Sequence, residues 1–315
     1  MNLYPIKLWQ WFSQLAWLSS YSQFLNSYFK RGQKSLRVFV LALFTVMVIL
    51  ALPGTAQTAQ VTPANPQLGD TISVIVAQPS TAPPPTVSMA GKTYPMFLVG
   101  PNRYRALVPT TPLHQPGGYT LQIQGQGQTQ TRSFQLANRS FPTQSIWLPP
   151  GDTDLGTDYE FDQVDAFKAL VTPEKFWNGP LLRPSQGEIT TIYGVRRYYN
   201  GEFAEDYYHR GVDYAAATGS PVVAPAAGRV ALVGRESQGF ELHGNTVGID
   251  HGQGVLSIFL HLNRIDVQEG QMVRAGQVIG GIGSTGASTG PHLHWGLYVH
   301  GQCVDPVPWR YQSIE

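Results

Sequence analysis

From about residue 60 onward, apolar and polar positions alternate along much of the chain. Ile72, Val74 and Val76 share one face; so do Tyr104, Ala106 and Val108, and Tyr119, Leu121 and Ile123, with Phe134 and Leu136 closing the series. A two-residue period is that of a strand with one buried face. Turn signals separate these runs at Ala90-Gly91-Lys92, Gly100-Pro101-Asn102 and Pro116-Gly117-Gly118, while Pro83-Pro84-Pro85 belongs to a loop. The Gln-Gly stretch at 122–131 reads as a hairpin turn. Together they predict a small immunoglobulin-like β-sandwich over 60–140. Its one histidine, His114, stands alone, so the expected role of this part is binding or spacing.

Helical patterning is confined to a connector, 141–180. Asp158, Glu160 and Asp162 precede Val164, Phe167, Ala169, Leu170 and Val171, with Lys168 near the end, and Thr172-Pro173 stops the run. Acidic residues in the first turn and a basic one in the last suit a helix dipole. These carboxylates are read as helix-start residues without a histidine partner.

A different pattern occupies the N-terminal extension, 1–57. Val38 to Leu52 is a run of apolar residues preceded by Lys30, Arg31, Lys34 and Arg37 and followed by Pro53-Gly54 and the small residues Thr55-Ala56. This is the layout of an export signal. The run is shorter than the roughly 17–25 residues of a bilayer span. Yet no charge falls between Arg37 and Asp70, so two outcomes stand: cleavage, or a retained membrane anchor at 38–52. Either way the remainder is expected to be exported, facing the periplasm or cell wall. Residues 1–29 are aromatic-rich, with Lys7 as their only charge, and are left unassigned.

Composition narrows the class. In 315 residues, 21 basic and 20 acidic side chains leave a net charge of +1, which excludes a basic footprint for nucleic acid. Thirty-three glycines and 24 prolines against 13% charged residues suit short strands and many turns. Cys303 is the only cysteine, so an exported chain must rely on its core and not on an internal disulfide. Cys303 itself is read as a small buried hydrophobe.

Chemistry gathers in the last third. His209 and Asp213 are four apart, and Gly211 between them argues for an extended segment that presents both on one face. His292 and His294, one residue apart, do the same at the start of an apolar run. His209, Asp213 and one histidine of the 292/294 pair make a nitrogen/oxygen set of three, the kind that catalytic zinc sites use. His261 lies inside Ile258-Phe259-Leu260-His261-Leu262, where a lone histidine is ordinarily a packed side chain. His251 is read as a turn residue, His243 and His300 as surface or loop residues, and Arg196-Arg197 as solvated surface. Tyr198, Tyr199, Tyr207 and Tyr208 are expected to flank the entrance to a groove.

At this point residues 180–310 resemble the LytM/lysostaphin-type zinc metallopeptidases. The resemblance rests on His209-x-Gly-x-Asp213, Leu260-His261-Leu262 and His292-x-His294 in that order. Between them stand Gly219-Ser220-Pro221-Val222-Val223-Ala224-Pro225, Gly228-Arg229-Val230, His251-Gly252, Gly270-Gln271-Met272-Val273 and Gly283-Ser284-Thr285-Gly286. It implies a mainly β chain in which the sandwich precedes a compact antiparallel β metallopeptidase domain, 181–312, with zinc in a groove. It also implies His209, Asp213 and His294 as ligands of Zn2+, His261 and His292 as the catalytic pair beside the metal, and peptidoglycan peptides as substrate. The alternative is a catalytically silent wall-binding activator of another hydrolase. Relatives of that kind lack metal ligands that are all present here. Loops 198–208 and 235–244 are where substrate preference is expected to reside.

Overall fold

In the computed structural model, which describes residues 59–147 and 156–314, the alternating segments become strands of two facing sheets. In chain order these are β1 (Gln60–Thr62), β2 (Thr71–Ala77), β3 (Thr86–Met89), β4 (Lys92–Pro95), β5 (Phe97–Gly100), β6 (Arg103–Pro109), β7 (Gly117–Gly125) and β8 (Gln128–Leu136). One sheet runs β1-β2-β6-β5 and the other β4-β3-β7-β8, all antiparallel. Ile72, Val74, Val76, Ala106 and Val108 of the first meet Val87, Met89, Leu121 and Ile123 of the second in one core. The polar partners of the alternation face outward, as β7 illustrates with its exposed Thr120, Gln122 and Gln124.

The connector contributes more than a helix. β9 (Thr143–Ile146) lies parallel to β11 (Arg196–Tyr199), which turns back through β12 (Glu202–Phe203). Among the described residues the one α-helix, α1 (Asp158–Lys168), begins at a capping box: the Thr157 hydroxyl accepts from the Glu160 amide, and the Glu160 carboxylate accepts from the Thr157 amide. Val164 and Phe167, three apart on one face, are buried.

The remaining strands are β10 (Glu188–Thr191), β13 (Val212–Ala215), β14 (Pro221–Val223), β15 (Gly228–Gly234), β16 (Asn245–Gly252), β17 (Val255–Ile265), β18 (Met272–Val273), β19 (Val278–Ile282), β20 (His292–Val299) and β21 (Gln302–Val304). They form a sheet in the order β10-β13-β20-β17-β16-β15-β18, with β19 joining β14 to β17 and β21 extending β20. The central strands β16, β17 and β20 are largely buried on both faces: 255–262 of β17 and 293–299 of β20 are mostly apolar, while β16 also buries Thr246, Asp250 and His251. Trp295, Phe259, Ile249 and Leu256 are the large side chains at their centre.

Thr58–Glu315 form one compact unit. Arg105 of β6 is buried between the two sets of sheets. Its guanidinium donates to the Ile314 carbonyl at 2.8 Å and to Gln253 Oε1, and stacks over Trp177. Arg139 pairs with Asp305 at 2.7 Å, and the Trp309 indole donates to Thr71 Oγ1. The apolar run 38–52 and the rest of the N-terminal extension lie outside the described residues. Among the described residues, no helix is long and apolar enough to cross a membrane.

Candidate metal centre

β13 and β20 pair antiparallel with Asp213 directly opposite His294 and Ala215 opposite His292. Cross-strand partners share a face, so this register alone brings the aspartate against His294 and keeps His292 two residues along on the same side. His209 precedes β13 and is tied to Val195 and Gly194 by backbone hydrogen bonds on either side of its residue. His209 Nε2, Asp213 Oδ1 and His294 Nδ1 then converge. His209 is 3.1 Å from both others, and His294 Nδ1 is 2.9 Å from the carboxylate oxygen. All three residues are largely buried.

Gly211 makes the convergence possible. A Cβ built there would stand 2.5 Å from the Trp295 carbonyl oxygen and 2.7 Å from His294 Nε2. The glycine in His-x-Gly-x-Asp is therefore a space requirement: the His294 ring packs against its bare backbone.

The protonation pattern tests whether a cation fits. His209 Nδ1 donates to the Ile192 carbonyl at 2.8 Å, so in a neutral ring Nε2 carries a lone pair. That lone pair faces a carboxylate oxygen and the second imidazole nitrogen. Acceptors gathered this closely require positive charge among them, and two imidazoles with one carboxylate are a donor set that catalytic zinc uses. Burial pushes the Asp213 carboxyl up, but the His209 and His294 imidazoles beside it outweigh burial and hold the group well below the usual carboxylate range, so it is present as a carboxylate. Burial lowers His294 despite the aspartate, which favours the neutral, ligating form.

His261 reaches the same side by a departure from the strand pattern. Leu260 pairs with His294, so regular alternation would point residue 261 at the opposite, core face occupied by Phe259. The ladder with β16 slips between Asn245↔Leu262 and Val247↔Phe259, and His261 has φ +63°. This β-bulge re-aims the side chain. The His261 ring lies 4.7 Å from that of His292, centroid to centroid. Both rings are oriented through Nδ1: His261 donates to the Thr285 carbonyl and His292 to the Gly290 carbonyl, each at 2.8 Å. Each keeps the Nε2 lone pair as its remaining acceptor. Burial, and then the neighbouring His292 and His294, push the His261 pKa down to about 3.

Other residues depart from the readings of the sequence. His251 is not in a turn but within β16, fully buried, bonded to the Ala227 carbonyl and Ser257 Oγ. His243 lies in a loop, as expected, but is mostly buried there, and Glu160 does have a histidine partner: the two side chains meet at 2.9 Å, with the Glu160 side chain fully buried. Local sequence could not pair residues 83 positions apart. Tyr208 packs in the core with its hydroxyl on the Cys303 carbonyl, and does not flank an entrance. Arg196 and Arg197 tie down the loop that follows them, through Tyr207 O, Glu205 O and the Tyr207 hydroxyl. Cys303 is buried as expected, and burial raises its thiol to about 12.

An antiparallel β-domain with this constellation defines a metallopeptidase class, and comparison agrees. Residues 207–306 match the model of Peptidase family M23. Over 99 residues the chain is 48% identical to the DD-carboxypeptidase/endopeptidase Mpg of Neisseria meningitidis, covering 31% of this chain and 22% of that protein. It is 41% identical over 99 residues to the peptidoglycan DD-endopeptidase ShyA of Vibrio cholerae, with the same coverage of each, 31% and 22%. The chain thus spans about a fifth of the length of these curated relatives. The crystal structure of a peptidase-M23-type protein from Pseudomonas aeruginosa aligns over 79% of this chain and 95% of its own, at 28% identity and a TM-score of 0.57. That alignment reaches well beyond the matched domain into the sandwich.

Proposed function

We propose that the protein is an exported zinc endopeptidase that hydrolyses peptide bonds in the stem peptides or cross-bridges of peptidoglycan. The observation that carries this is the triad of His209, Asp213 and His294, whose donor atoms all lie within 4.8 Å of one another, with His261 and His292 beside it. The relatives named as peptidoglycan endopeptidases, and the export-type N-terminal sequence, support the substrate and the location. The full donor set disfavours a catalytically silent, wall-binding role.

His209, Asp213 and His294 would hold the ion. Zinc held by such a set supplies a water acidified towards a pKa of about 7 and a Lewis acid for a carbonyl oxygen. The chain's own part is proton transfer and orientation. His261 and His292, pinned through Nδ1–H, each offer Nε2: one takes a proton from the attacking water and then hands that proton to the leaving amine, while the other, in its imidazolium form, donates to the developing oxyanion. The Thr285 and Gly290 carbonyls fix both tautomers, so neither ring has to reorganise during the reaction.

Metal analysis of the purified protein tests the assignment without relying on activity. Close to one zinc per chain is expected, and His294→Ala should lose it. A native, folded protein that takes up no zinc would remove the assignment.

A further inference from the structure

Glu160 lies outside the family-matched residues, on the helix of the connector, yet its carboxylate reaches the loop behind His261. Oε1 accepts from the amides of Thr157 and Leu242, each at 2.9 Å. Oε2 accepts from the Leu242 and His243 amides at 3.2 and 3.1 Å and from His243 Nδ1 at 2.9 Å. A helix cap needs only the first of these bonds. The others clamp Leu242 and His243.

What that clamped loop touches is the catalytic histidine's backbone. The His243 carbonyl accepts the His261 amide at 3.1 Å, and the Leu242 carbonyl accepts the Ala287 amide at 3.0 Å. Gly244 and Gly286 pack backbone to backbone: a Cβ on Gly244 would meet the Thr285 carbonyl oxygen at 2.4 Å, and one on Gly286 the Gly244 nitrogen at 2.4 Å. Thr285 in turn supplies the carbonyl that orients the His261 imidazole. So both contacts that fix His261, at its amide and at its ring, rest on the segment Leu242–Gly244. His261 occupies the left-handed region at φ +63°. A non-glycine residue persists there only where its surroundings over-determine it.

We propose that Glu160 is a positioning residue for His261: the connector helix holds the 242–244 loop by its carboxylate, and that loop holds the bulge which turns His261 toward the metal centre. The proposal rests on the reading that His261 works on the substrate.

The test is a double-mutant cycle with Glu160→Gln and His261→Ala, read as initial rates of muropeptide release at saturating and limiting peptidoglycan. Gln offers one acceptor and sets its NH2 against amides that also donate. In the wild-type background, Glu160→Gln is expected to lower the saturated rate about 100-fold, the order expected for a misplaced catalytic group. Half-saturation and zinc content should change little. In the His261→Ala background the further loss should be under about twofold, because the effect acts through that side chain. Equal losses in both backgrounds would mean general destabilisation and overturn the proposal. Should Glu160→Gln not fold, Glu160→Asp replaces it: shorter by one methylene, it keeps the cap's charge and should give a smaller loss with the same dependence on His261. Hydrogen exchange provides an arm free of activity. Exchange at residues 258–264 should quicken in the variant while β2 stays as in wild type, and unchanged exchange at 258–264 would overturn the proposal. Wild type that releases nothing from peptidoglycan would count against the functional reading, and exchange alone would then judge the positioning.

Discussion

Replacing Gly211 by alanine adds one methyl group between two strands that carry the metal-binding side chains. Its backbone is not in the left-handed region, so alanine meets no torsional penalty and the perturbation is steric. The methyl would stand 2.5 Å from the Trp295 carbonyl oxygen and 2.7 Å from His294 Nε2, where comfortable contact begins near 3.5 Å. Strand and ring must therefore separate by roughly 0.8–1 Å. Because Val212 pairs with Trp295 and Asp213 with His294, the shift also parts two of the three donor atoms. Overpacking of this kind costs about 1–3 kcal/mol, offset by about 0.4–1 kcal/mol from the stiffer unfolded chain. At about 2–4 °C per kcal/mol the variant stays folded at 25 °C. A misplacement near 1 Å is worth about 100-fold in rate, and disturbed support of a metal ligand about 10–100-fold in affinity. Zinc competition against a chelator, followed by muropeptide release at saturating zinc, measures both. Gly211→Ala with wild-type zinc affinity and wild-type rate would refute the argument that bare backbone at 211 seats His294.

Two further outcomes follow from the same geometry. His292→Ala should keep its zinc yet lose about 10²–10⁴ in rate, the usual worth of a positioned acid–base group; zinc loss in this variant would make it a ligand instead. His251, buried neutral with its pKa pulled from 6.5 to about 4, binds fewer protons folded than unfolded between those values. Stability must then fall as the pH drops from 6.5 towards 4, by up to about 3 kcal/mol, and His251→Gln should flatten that part of the profile by about 1.4 kcal/mol per pH unit. Denaturant midpoints from pH 7 to 4.5 measure this, and an unchanged slope contradicts it.

The parts legible in the sequence are those set by local periodicity. An even spacing along a strand keeps His292 with His294, the short His209-x-Gly-x-Asp213 spacing keeps that pair together although His209 itself lies before β13, and the alternation in β2, β6 and β7 marks the sandwich faces. His261 escaped the pattern because alternation assigns it to the core, and only a bulge in the β16–β17 ladder turns it toward the metal centre. Glu160 and His243 escaped for another reason. The glutamate satisfies a local rule, the capping box, so nothing in the neighbouring sequence asks for its second role. Tyr208 was misplaced because a tyrosine beside a ligand looks like a wall of the site, while its hydroxyl is spent on the Cys303 carbonyl in the core.

Mass spectrometry of muropeptides released from purified peptidoglycan by the zinc-loaded protein tests the central claim most directly. The account predicts new peptide termini from wild type and none from His294→Ala, with the glycan backbone intact in both. Release of cut glycan with uncut peptides, or no release by a protein that carries its zinc, would contradict it.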